Sequence, residues 1–165
     1  MEEARISDFK EKASHGDVLM PIQRYRCNYQ ELCLHWHEEV ELTWVEKGNI
    51  DYFINFEPFR VCQDDILLIT PHTLHSASVG KGEDMISESL VFHLDLMGYQ
   101  IPDACTMKYI SPLQKGKYRF IPVIRAGQPG HGEILARIRE LLPCVRTGEG
   151  EAISKQEPAA GDRDR

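Results

Sequence analysis

Between Tyr25 and Leu94 the chain breaks into short runs rich in Val, Ile, Leu, Phe and Tyr, each closed by turn-forming residues, with no helical periodicity among them. This texture constrains the fold most. Consecutive short strands joined by close turns close up as a barrel or a sandwich. The runs are Tyr25–Trp36, Glu39–Glu46, Ile50–Phe56, Phe59–Val61, Ile66–Thr70, Ser76–Val79 and Ser87–Leu94. Gly48-Asn49 reads as a hairpin turn because both residues tolerate positive φ. Glu57-Pro58 reads as a second turn, since proline removes a ladder donor.

The segments around this core are of other kinds. Residues 1–24 are polar and aperiodic, as in an N-terminal arm, and the barrel is expected over 25–97. Residues 98–145 read as loops, with edge strands or a short helical turn, leading to one helix over Gly132–Leu142. In that helix Ile134, Leu135, Ile138, Leu141 and Leu142 form one apolar stripe, and Pro143 ends it. The stripe suits either core packing or a dimer seam. Residues 146–165 are charged and poor in large apolar side chains, the composition of a disordered tail.

Charge and targeting signals narrow the function. With 26 acidic and 19 basic residues, the formal net charge of −7 opposes binding to a phosphate backbone by this chain alone. The N-terminus lacks a basic region followed by an apolar run, and no apolar run is long enough to span a bilayer. Five cysteines without a C-x-x-C pair suit reduced thiols, so a cytoplasmic setting is expected.

The chemistry concentrates in His35-Trp36-His37-Glu38-Glu39-Val40-Glu41. His35, His37 and Glu41 share one parity, and on an unbulged strand side chains of one parity share a face. His75 follows the Ile66–Thr70 run and a proline turn. If it crosses opposite the first run, three imidazoles and one carboxylate converge. That donor set suits Zn, Fe, Ni or Mn better than Mg or Ca. The same residues without metal would form a polar pocket floor. Cys33 shares their parity, although a small buried hydrophobe is its simpler role. Thr43, Val45, Tyr52 and Phe53 are candidate pocket walls. Trp36 and Trp44, of opposite parity, are expected between sheet and helix. His72 is expected on an exposed turn and His93 at a strand end, neither as a ligand.

His-x-His, three residues, Glu, six residues, Gly is the first cupin motif, met by His35, His37, Glu41 and Gly48. The second cupin motif is only loosely kept. Asp64 and His72 stand where glycines are usual, Thr70 replaces the first proline, Val79 replaces the asparagine, and His75 is retained. This variant, together with Leu90-Val91-Phe92-His93-Leu94-Asp95 and Lys108-Tyr109-Ile110-Ser111-Pro112-Leu113, resembles the N-terminal sensor domain of AraC-family transcription regulators over about residues 20–145. The resemblance implies a mainly β, jelly-roll-like cupin barrel followed by a C-terminal amphipathic helix. It implies a small-molecule effector held near His35, His37, Glu41, Thr43 and His75, and a homodimer. In such regulators DNA is bound by helix-turn-helix units of the full-length protein. This sequence shows no such pattern after its helix, so it is expected not to read DNA by itself. The alternative function is a small metal-dependent cupin enzyme of the isomerase or dioxygenase type.

Overall fold

The computed structural model describes residues 22–97 and 103–145, apart from 116 and 119. The arm through residue 21 and the tail from residue 146 lie outside the described residues. Among the described residues, nine strands make two antiparallel sheets: β1 (Ile22–Cys27), β2 (Glu31–His35), β3 (Val40–Lys47), β4 (Asn49–Ile54), β5 (Glu57–Cys62), β6 (Ile66–Ile69), β7 (His75–Ser78), β8 (Ile86–Phe92) and β9 (Val123–Ile124). One sheet has the order β1-β8-β3-β6-β9 and the other β2-β7-β4-β5. The chain passes back and forth between the sheets, as in a jelly roll. Their inner faces share one core, in which Val45, Leu67 and Ile69 of the first sheet meet Ile50, Tyr52, Val61 and Ala77 of the second.

Three turns differ from the sequence reading. The run Tyr25–Trp36 is two strands, β1 and β2, which belong to different sheets. Gly48 is a corner between sheets, not a hairpin, because β3 and β4 do not pair. Its φ is +79°, and a Cβ there would lie 2.1 Å from the Asp84 carbonyl oxygen, so only glycine fits. The hairpin joins β4 to β5 instead, through Asn55 and Phe56 at φ 48° and 68°. Pro58 sits within β5, where an edge strand tolerates its missing donor.

Both faces of the first sheet are covered. On β3, Thr43 and Val45 point into the barrel, whereas Trp44 points out. Helix α1 (Ser111–Gln114) follows a π-helical turn at Thr106–Ile110; helix α2 spans His131–Leu141. From α2 and the turn after it, Leu135, Ile138, Leu142 and Val145 pack on Trp44, Ile66 and Leu90. His131 Nε2–H donates to the Asp64 carbonyl at 2.7 Å, and the Arg139 guanidinium lies 4.6 Å from the Trp44 ring. Within the expected stripe, Ile134 and Leu141 stay 38% and 40% exposed, so the helix buries only one side of it.

Candidate functional site

The structure brings His35, His37, Glu41 and His75 together at the seam between the two sheets. A continuous strand is not what aligns them. His35 ends β2 and is paired with His75 at the start of β7. His37 lies in the turn before β3, and Glu41 lies on β3. The ligand atoms of the three histidines lie within 4.8 Å of one another. His37 Nε2 is 3.3 Å and His75 Nε2 3.7 Å from Glu41 Oε2.

Each imidazole is oriented by the backbone beside it. Nδ1 of His35 is 2.8 Å from the Cys33 carbonyl, Nδ1 of His37 is 3.0 Å from that of Glu39, and Nδ1 of His75 is 2.8 Å from that of Thr73. A carbonyl oxygen can only accept, so each Nδ1 carries a proton and donates. In the neutral ring this leaves the Nε2 lone pair aimed at the common centre. Glu41 is fixed from behind: Thr43 Oγ1 lies 2.8 Å and Ser89 Oγ 3.1 Å from Oε1, and the two hydroxyls, 2.7 Å from each other, share their two protons among these three contacts.

The electrostatics follow from this packing. Burial, with His75 close by, pushes the His35 imidazole down to about 4. Burial also opposes charge on His37, but the Glu41 carboxylate outweighs it and raises that ring above its usual value. Burial of Glu41 is likewise outweighed, by His37 and His75, and its carboxyl is held well below the usual range. An anionic carboxylate therefore lies beside His37 and His75, next to the cluster that the three imidazoles form. His75 Nε2 is buried without a hydrogen-bond partner among the described residues. A divalent cation would satisfy that atom, and the donor set of three nitrogens and one oxygen fits a first-row transition ion.

Several expectations need correction. Cys33 faces solvent, because a register shift between Leu32 and His35 reverses the parity of β2. Phe53 is 47% exposed and lines no interior wall. Trp36 does not lie under the helix. It borders a surface cleft of about 210 Å³ with Asn55, Phe56, His72 and Leu74. Thr43, Val45 and Tyr52 do face the interior. Ser89 was missed, although it pairs with both Thr43 on β3 and Tyr25 on β1. The polar run Ser87-Glu88-Ser89 inside an apolar strand was the available signal. Also missed were Tyr29, whose hydroxyl lies 3.0 Å from that of Tyr52 in the interior, and Cys27, whose thiol burial pushes up to about 12.

The AraC-like ligand binding domain family matches residues 24–160. The chain belongs to this AraC-like family. Over 82 residues it is 30% identical to an uncharacterised HTH-type transcriptional regulator, YdeC, of Bacillus subtilis (strain 168). That match takes in 47% of the chain and only 28% of the relative. Solved structures similar to part of this AraC-like domain include KdgF from Halomonas sp., at 20% identity and TM-score 0.36, covering 49% of this chain and 87% of that one. A cupin-like protein of Thermotoga maritima is similar at 16% identity and TM-score 0.43, covering 47% of this chain and 62% of that one.

Proposed function

We propose that this chain is the effector-sensing and dimerising part of an AraC-type regulator, and that its barrel holds a small molecule together with a divalent transition ion. The observation that supports the reading is a cluster of three backbone-fixed imidazoles, two of which set Nε2 beside one anionic carboxylate, in a chain of the AraC-like ligand-binding family. His35, His37, His75 and Glu41 hold the ion; Zn, Ni, Fe or Mn fits the donors. The ion supplies positive charge that attracts an anionic or lone-pair-bearing group of the effector. Thr43 and Ser89 keep the Glu41 carboxylate facing the site, and the buried aliphatic lining keeps water from competing. Two copies pair through the exposed flank of α2, and the longer protein works in the cytoplasm, where its remaining segments read DNA. This chain alone does not bind an operator.

The same ion would serve an isomerase or dioxygenase, and one experiment separates the two. The purified chain is loaded with Zn, Ni or Mn and incubated with sugars and aromatic acids. Thermal shift and chromatography are then read together. A sensor is stabilised by a compound that is recovered unchanged. Conversion of that compound would make the protein an enzyme. Stabilisation by none of them, with metal bound, would remove these effector classes.

A further inference from the structure

Strand β8 carries two adjacent polar residues whose side chains leave by opposite faces of the sheet. Ser89 points inward and donates to Glu41 Oε1 at 3.1 Å. Glu88 points outward, and its side chain is 2% exposed. Arg24 of β1 holds Glu88 with two bonds: Nε to Oε2 at 2.9 Å and Nη2 to Oε1 at 3.0 Å. The third arm of the same guanidinium, Nη1, donates to the Leu142 carbonyl at 2.9 Å. That carbonyl belongs to the turn that ends α2, where it also accepts the Val145 N–H at 3.3 Å. An unbroken series of hydrogen bonds and one peptide unit thus runs from Glu41, through Ser89, Glu88 and Arg24, to the end of α2.

We propose that this series couples the state of the four-residue site to the C-terminal turn of α2. The proposal rests on the metal reading given above. Glu41 Oε1 is shared between Thr43 and Ser89, while Oε2 faces His37 and His75. A cation at the imidazoles draws the carboxylate charge toward Oε2 and loosens the hold of Oε1 on Ser89. Ser89 and Glu88 are successive residues of a strand paired on both sides, so they move as one piece. The two-point grip of Arg24 follows Glu88, and its third arm shifts against the Leu142 carbonyl. The last turn of α2 therefore has one arrangement in which both Arg24 and Val145 hold that carbonyl and one in which Val145 alone holds it. A cation at the site biases the choice.

The test is hydrogen exchange of residues 139–145 in the full chain, with and without Zn. Metal uptake is read separately from the absorption of the Co(II)-loaded protein. Zn is expected to change exchange in this segment by about 5-fold or more, the lower end of usual coupling. Arg24→Lys cannot span Glu88 and Leu142 at once and should abolish the response. Should Arg24→Lys fail to fold, Ser89→Ala breaks the series at its inner end and should abolish the response equally. Metal uptake with unchanged exchange in the wild type, or a response that survives in the folded variants, would overturn the coupling and leave the site intact. Failure to take up any metal would overturn the metal reading and the coupling with it.

Discussion

His75 is fully buried, and its Nε2 has no hydrogen-bond partner among the described residues although Glu41 Oε2 lies only 3.7 Å away. A buried polar atom left unpaired costs about 1–3 kcal/mol. The metal-free fold carries that cost, and a bound ion removes it. His75→Phe should therefore leave the metal-free protein within about 1 kcal/mol of the wild type, because the lost Nδ1 bond and the relieved Nε2 offset each other. Zn at a hundred times its Kd should stabilise the wild type by about 2.7 kcal/mol and the variant not at all. Thermal melts with and without Zn check both expectations.

Thr43→Val keeps the side-chain shape and removes one donor to Glu41 Oε1. Loss of a group that orients a metal-binding residue weakens binding by about 10–100-fold. Calorimetric Zn titration should show that drop with unchanged stoichiometry. An unchanged affinity would mean that Ser89 alone holds the carboxylate.

Much of the site was legible because local sequence governs it. His35, His37 and His75 are each oriented by a carbonyl two residues away. The parity rule failed at Cys33 because a register shift in β2 depends on pairing with β7, which the sequence of β2 does not display. Asp64 and His72, which replace motif glycines, adopt φ 67° and 60°. The backbone shape that glycine usually serves is kept, and short polar or ring side chains tolerate it. The clamp of Glu88 by Arg24 joins residues 64 positions apart, so no local pattern announces it.

Acid should loosen that clamp. Burial pushes the Glu88 carboxyl up, but hydrogen bonds from Arg24 and Arg26 outweigh it, so its folded-state value lies below the usual one. The stabilisation is then fully present above the ordinary carboxylate range and is lost as pH falls through the lowered folded value. Glu88→Gln should cost about 2 kcal/mol at neutral pH, the scale of a charged hydrogen bond. It should also flatten the acid limb of a stability–pH curve. Denaturant melts from pH 7 to pH 3 read both effects.

The two sides of α2 should respond differently to substitution. Ile138, 3% exposed, packs in the cluster around Trp44, and Ile138→Ala should cost about 2–5 kcal/mol in urea melts. Leu141, 40% exposed, should tolerate Leu141→Glu within about 0.5 kcal/mol while shifting sedimentation from dimer to monomer. A wild type that sediments as a monomer would remove the dimer and leave the barrel untouched.

The central claim is that His35, His37, His75 and Glu41 together hold one transition ion. Anomalous diffraction at the zinc edge, from crystals of the Zn-loaded chain, tests it most directly. The account predicts a single peak about 2.0–2.2 Å from the Nε2 atoms of all three histidines and from a Glu41 oxygen. Zn-loaded crystals with no peak at this seam, or with His75 turned away from it, would contradict the account.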